Sequence, residues 1–265
     1  MTTSVFIICW PGKEKNARHI AKSILNYVDQ LFVIYSTNDN SLFYGAGKWV
    51  KVPDNWYYGK KFKKTLQLNK CDSMLHIHAD AFCCNWGKLV KNFKETNKIF
   101  PNLGLWMPFE KHKNYFKFSN ILNQTYKERL KNEYLTILDS DILYKKISKN
   151  LLDRYNFVCQ SDTTVWGITK KVILRMKKID YEFNNLGWGI DTVALAFSYC
   201  NNLLTVRDNF SSFIHKSHRL NKKSNYNHSN ALIQMNNFFN QLTLQEILLI
   251  KLFHQYFLFN IEISK

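Results

Sequence analysis

The sequence predicts an α/β protein whose first half builds a mostly parallel sheet, and three observations carry the prediction. Short apolar runs at residues 5–9, 31–35 and 73–78 have the length and the β-branched and aromatic content of strands buried on both faces. Between the first two lies a segment with helical spacing at Ala17, Ile20, Ala21, Ile24, Leu25 and Val28. Each run ends in a polar or Pro/Gly-containing stretch, the punctuation of alternating strands and helices. Ligands of such sheets bind beyond the carboxyl ends of the strands.

Taken in order, residues 5–9 form the first strand, and Trp10-Pro11-Gly12 breaks it into a loop. Residues 16–28 form a helix. Residues 31–35 form a second strand, followed by the polar loop Ser36-Thr37-Asn38-Asp39-Asn40. Residues 49–52 supply a third strand, and 58–69 a basic helix that carries Lys60, Lys61, Lys63 and Lys64. Residues 73–78 form a fourth strand that ends at His78-Ala79-Asp80. In the second half, residues 103–107, 134–138 and 157–159 are strand-like, and 170–176 and 192–199 are helical. A short strand at 203–207 follows, and the pattern from residue 230 to about 259 is helical. No repeat, low-complexity segment or linker divides the chain. The expected organisation is one domain over 1–240, with halves of about 1–100 and 101–240, and a helical tail over 241–265.

The chain has 265 residues, of which 46% are hydrophobic and 15% aromatic, enough for a sizeable core and against disorder. Its net charge of +17 favours anionic partners such as phosphorylated small molecules or anionic lipid. The basic residues are scattered, with no basic tail or RNA-binding signature, so nucleic acid is not the expected partner. The six cysteines, at 9, 71, 83, 84, 159 and 200, include no Cys-x-x-Cys pair. Zinc spacing is absent, and buried thiols in a reducing cytoplasm are expected. The apolar run before Trp10 is too short for a signal peptide. The stretch 247–261 is broken by Lys251, His254, Gln255 and Asn260, which argues against a membrane span. Gly-x-Gly-x-x-Gly, Walker A and Gly-x-Ser-x-Gly motifs are absent, which removes support from dinucleotide oxidoreductases, P-loop enzymes and serine hydrolases.

Seven groups of residues are candidates for chemistry. Asp80 emerges from a buried strand at the ligand edge, where a carboxylate suits a hard cation, Mn²⁺ or Mg²⁺. The competing reading is a helix cap. A literal Asp-x-Asp, Asp139-Ser140-Asp141, matches the pattern better but lies well past the fourth strand, where a polar turn is the simpler account. In Gly187-Trp188-Gly189-Ile190-Asp191, the glycines permit a tight backbone and the indole offers a flat face to a sugar. Asp191 is placed to take a proton from an acceptor hydroxyl, or to cap the helix after it. His215 and His218 follow a strand and can ligate a metal. His76 and His78 face one side of their strand, where core packing is a better account than zinc. One of the lysines at 60–64 is expected to reach a phosphate while the others face solvent. The segment from Asp162 to Gly167, including Trp166, is expected to line the acceptor pocket or to be an ordinary strand turn.

With these residues placed, the chain over about residues 5–235 resembles glycosyltransferases of the GT-A, nucleotide-diphospho-sugar transferase type. The resemblance rests on three features in order: the helix and strand leading from Gly59-Lys60-Lys61-Phe62 to Asp80, the Gly-Trp-Gly-x-Asp turn, and the later His215. It implies a Rossmann-type mixed sheet flanked by helices. Donor contacts would come from Trp10, Pro11, Gly12, Tyr35, Ser36, Asp39, Lys61, His78 and Ala79. It implies a metal, Mn²⁺ or Mg²⁺, on Asp80 and His215, acceptor contacts from Trp188, Gly189 and Trp166, and Asp191 as catalytic base. The chain departs from the family where His78 replaces the usual first Asp and Thr192 replaces a second acid. The expected activity is inverting transfer of a sugar from a nucleotide sugar to a glycan or lipid-linked glycan in bacterial surface polysaccharide or lipooligosaccharide synthesis. The expected place is the cytoplasm or, as a peripheral protein, the inner face of the membrane, where the charge would meet anionic lipid and the tail could lie in the interface. The alternatives are a nucleotidyltransferase or phosphotransferase on a similar sheet, and a non-catalytic basic module that binds glycan or nucleic acid.

Overall fold

Among the described residues, the alternating apolar pattern places nine strands in one sheet with helices on both faces. The computed structural model describes residues 1–37, 41–111, 154–158, 161–215 and 228–251. In chain order the elements are β1 (Thr3–Cys9), α1 (Glu14–Ile24), β2 (Gln30–Tyr35), β3 (Lys48–Lys51), α2 (Tyr58–Leu68), β4 (Ser73–His78), β5 (Ala81–Phe82), α3 (Trp86–Ile99) and β6 (Leu103–Glu110). After them come β7 (Tyr155–Phe157), β8 (Val165–Thr169), α4 (Lys170–Lys177), α5 (Ile190–Cys200), β9 (Leu204–His215) and α6 (His228–Phe239).

The sheet runs β3-β2-β1-β4-β8-β6-β9-β5, with β7 also on β9. β3, β2, β1 and β4 are mutually parallel, as the short apolar runs predict. β8 is antiparallel to both β4 and β6, while β6 and β9 are parallel. The carboxyl ends of β1, β2, β4, β6 and β9 therefore share one edge with the start of β8.

All seven residues of β1 are buried, and their side chains alternate between two core layers. Val5 and Ile7 pack with α1 and α3, and Phe6 and Ile8 with α2, α4 and the start of α5. The third strand and the basic helix lie where the sequence puts them. The strand expected at 203–207 runs on to His215. The strand expected at 134–138 lies outside the described residues.

The tail departs from expectation. The helix predicted from residue 230 to about 259 breaks after Phe239, and residues 244–251 form a second helix. Thr243 starts that helix as a capping box: Glu246 Oε2 accepts from the Thr243 N–H at 2.8 Å, and the Glu246 N–H donates to Thr243 Oγ1 at 3.2 Å. Leu249 and Ile250 are buried in the core. The Arg175 guanidinium of α4 grips the Glu246 carboxylate through Nε at 2.9 Å and Nη2 at 2.8 Å. Over residues 244–251 the tail is thus packed on the domain, and that stretch does not lie free for an interface. No helix among the described residues is long and apolar enough to cross a membrane.

Candidate functional site

The site assembles at the shared edge from strand ends that are distant in sequence. β4 delivers His78-Ala79-Asp80. The chain then turns directly into β5, which pairs antiparallel with the end of β9, Ala81 opposite His215. That register sets Asp80 Oδ2 3.5 Å from His215 Nε2. Burial alone would raise the Asp80 pKa, but the His215 hydrogen bond and the nearby imidazoles outweigh it and hold the carboxyl below its ordinary range. The same bond, working against burial, raises the His215 pKa. Both shifts favour the charged forms, carboxylate on Asp80 and imidazolium on His215.

Asp80 Oδ1 is buried and has no hydrogen-bond partner among the described residues. An orphaned carboxylate oxygen beside an imidazole is a fitting donor set for Mn²⁺ or Mg²⁺. Among the described residues no group of three or more His, Cys, Asp or Glu could hold a metal. Two protein ligands are the usual complement where substrate phosphates and water complete the shell. Asp80 and His215 are therefore the residues that would hold the ion, which would displace the shared proton.

Lys61 lies on the other side of β4. Its side chain is wholly buried. Its ammonium donates to Cys9 O at 3.0 Å and Ser36 Oγ at 2.9 Å and sits 4.2 Å from the centre of the Trp10 ring. Burial lowers its pKa to about 8. Of the four lysines on α2, this one forms a fixed cation at the ends of β1 and β2. Trp10 is half-buried, and Pro11 and Gly12 are exposed beyond it. Gly12 has φ +81°, a conformation that favours glycine.

The third part is the Gly-Trp-Gly turn. Gly187 and Gly189 both have positive φ, +83° and +81°. A Cβ on Gly187 would meet Tyr58 Cδ1 at 2.7 Å and the Gly59 nitrogen at 2.8 Å, so the turn is pressed against the start of α2. Gly189 caps α5, and Asp191 sits inside its first turn. The capping reading of Asp191 is thereby corrected in position: Gly189 is the N-cap, with no side-chain cap hydrogen bond, and Asp191 lies two residues on, where a carboxylate complements the helix dipole. Tyr58 links the turn to the strand edge. Its ring lies 4.9 Å from that of His78, and its hydroxyl accepts from Trp166 Nε1 at 3.0 Å. Burial raises the Tyr58 pKa well above its usual value, and the Asp191 and Asp162 charges push it the same way.

Two expected contacts are corrected by burial. Trp166 is 0% exposed. It lies in the middle of the sheet, stacked on Phe62, and it orients Tyr58 instead of lining an acceptor pocket. Tyr35 is 2% exposed. Its hydroxyl accepts from the Phe43 N–H at 3.2 Å, so it ties down the loop after β2 and presents no face to a donor. Ala79 is buried, and its N–H donates to Ile8 O at 2.9 Å. Trp188 is half-buried at the turn. His76 is buried with Nε2 3.1 Å from Thr65 Oγ1, which makes it a core residue and removes the zinc pair. Asp39, Asp139, Asp141 and His218 lie outside the described residues.

Tyr58 was not singled out from sequence, although it opens the buried face of a helix with Lys61, Phe62, Thr65 and Leu66.

No family model and no curated protein matches this sequence. Solved structures do match. A mycobacterial protein aligns with TM-score 0.53 at 13% identity over 83% of this chain and 68% of its own. Glucosyl-3-phosphoglycerate synthase from Mycobacterium tuberculosis, solved with Mn²⁺, uridine diphosphate and phosphoglyceric acid, aligns with TM-score 0.51 at 13% identity over 89% of this chain and 75% of its own. GalNAc-T7, solved with UDP, GalNAc and Mn²⁺, aligns with TM-score 0.54 at 11% identity over 81% of this chain but only 43% of its own. The chain has the GT-A type of fold.

Proposed function

We propose that this protein transfers a sugar from a nucleotide-sugar donor to a hydroxyl of a glycan acceptor, with inversion at the anomeric carbon and with Mn²⁺ or Mg²⁺ bound. The observation that carries the reading is the Asp80–His215 pair, 3.5 Å apart at the carboxyl edge of a GT-A sheet. Structural neighbours solved with UDP and Mn²⁺ support a uridine nucleotide as the first donor to test.

Trp10 flanks the donor's nucleotide diphosphate, and the Lys61 ammonium buried behind its ring places positive charge at that edge without contacting the donor. Asp80 and His215 would hold the metal, which would supply positive charge to the leaving nucleotide diphosphate. Asp191 takes the proton of the acceptor hydroxyl as that oxygen bonds to the anomeric carbon and the bond to the diphosphate oxygen breaks. The proton then leaves Asp191 for solvent. Trp188 offers its ring face to the acceptor. We place the reaction in bacterial surface polysaccharide or lipooligosaccharide synthesis. A lipid-linked acceptor accounts for the charge of +17, and salt-sensitive binding to anionic vesicles tests that placement.

The deciding experiment screens UDP-, GDP-, CMP- and dTDP-sugars with and without Mn²⁺, reading melting temperature and sugar-nucleotide hydrolysis. Stabilisation by one donor that needs Mn²⁺ and vanishes in Asp80→Ala is the expected result. No response to any donor would sink the reading.

A further inference from the structure

The acceptor side of the site carries a charge pattern that selects among acceptors. β8 runs antiparallel to β4, Ile77 opposite Val165, so residues 161–164 sit at the edge reached by His78 and Asp80. The contacts there are close: the His78 N–H donates to Thr164 O at 2.8 Å, and Thr164 Oγ1 lies 3.5 Å from His215 Nδ1. Asp162 is held in place because its Oδ1 accepts from the Thr164 N–H at 2.7 Å. Its charge is felt at Tyr58, His78 and His215, and the Asp191 charge reaches the same Tyr58.

The charges of two carboxylates from different elements thus both push the Tyr58 pKa upward. The fixed cation, Lys61, is bonded toward Cys9 and Ser36 at the ends of β1 and β2. On the glycosyltransferase reading, the positive charge of Lys61 belongs to the donor side and the negative charge of Asp162 to the acceptor side. A second feature points to a ligand. His78 is 9% exposed, and its Nε2 has no hydrogen-bond partner among the described residues.

We propose that Asp162 is a specificity-determining residue of the acceptor subsite, and that the acceptor group it receives is a polyhydroxyl sugar without negative charge. Sugar hydroxyls donate to carboxylates, and a vicinal pair can engage both oxygens. A phosphate in the same place would be repelled by the Asp162 carboxylate. The inference rests on the glycosyltransferase reading above.

The test uses the full chain with Mn²⁺ and the nucleotide sugar it hydrolyses fastest, reading nucleotide release. Neutral p-nitrophenyl hexosides and hexosaminides are compared with hexose 6-phosphates and phosphoglycerate. Neutral acceptors are expected to stimulate release above hydrolysis, and phosphorylated ones are not. Asp162→Asn keeps an oxygen for the Thr164 N–H and removes the charge. It is expected to raise the acceptor KM about tenfold or more, the loss of one charged hydrogen bond, and to change the acceptor KM more than the donor KM. Asp162→Arg is expected to let phosphorylated acceptors stimulate release. A wild-type preference for phosphorylated acceptors, or an unchanged acceptor KM in Asp162→Asn, overturns the proposal while leaving sugar transfer intact. Absence of any donor turnover in the wild type overturns both. If the variants melt before assay, the wild-type acceptor panel alone decides.

Discussion

An ammonium held wholly inside a protein needs compensation, and Lys61 finds it in Cys9 O, Ser36 Oγ and the Trp10 ring. Burial still lowers its pKa to about 8, below the ~10.4 of an exposed lysine. Between those values the unfolded chain holds a proton that the folded chain has released, so this residue makes stability rise with pH across the window. Lys61→Met is expected to flatten that rise in denaturant titrations compared with wild type, and to weaken donor binding in the melting assay. Asp191→Asn is expected to keep donor binding but lower sugar transfer by roughly 10²–10⁴-fold, the usual worth of a general base. Wild-type turnover in that variant would refute the assignment. Asp80 and Asp191 stand out in the sequence because each follows a local pattern, a strand end or a Gly-Trp-Gly turn. Choosing Lys61 from four lysines needed helical phase: it shares the buried face of Tyr58 and Thr65.

At the scale of elements, the site depends on two junctions. The first is the β5–β9 pairing that brings Asp80 to His215. A two-residue strand has almost no sequence signature, so the order of the motifs was readable but their meeting was not. The second is the contact between the Gly-Trp-Gly turn and α2. The Gly59 N–H donates to Asn185 O at 2.9 Å, and a Cβ on Gly59 would collide with Asn184 O. Gly187→Ala adds a Cβ against backbone at positive φ. It is expected to cost about 1–3 kcal/mol and to depress turnover by displacing Tyr58. A variant with wild-type melting and kinetics would show the turn to be looser than this geometry. The misplacement of Trp166 belongs here too. Its indole was legible as an aromatic near the site, but whether β8 lay at an edge or in the middle of the sheet was not.

For the molecule as a whole, the two core layers and the docked tail act together. Arg175 and Glu246 join α4 to the helix at 244–251 across a nearly dry contact, with side chains 16% and 2% exposed. Burial would raise the Glu246 pKa, but the Arg175 hydrogen bonds outweigh it, and the net shift is downward. The pair therefore contributes stability at pH above the ordinary glutamate value, and that contribution fades as pH falls through the lowered one. Glu246→Gln is expected to destabilise by about 2–4 kcal/mol at neutral pH, because it leaves a half-buried guanidinium poorly paired. The gap from wild type should narrow in acid-titrated melting curves, and a constant gap would argue against the ion pair. By the same contact, cutting the chain near Leu242 should lower the melting temperature.

The sequence by itself determined the alternation of strands and helices, the parallel start of the sheet and the order of Asp80, the Gly-Trp-Gly turn and His215. These are short-range properties, written in periods of two and 3.6 residues and in the backbone freedom of glycine. Only the tertiary structure decided which lysine is buried, that Trp166 and Tyr35 face the core, that the tail docks through Glu246, and that Asp80 meets His215 while Tyr58 links them to the turn. Those facts depend on strand order and register, which come from contacts between residues far apart in the chain, and local patterns carry no record of which distant partner satisfies them.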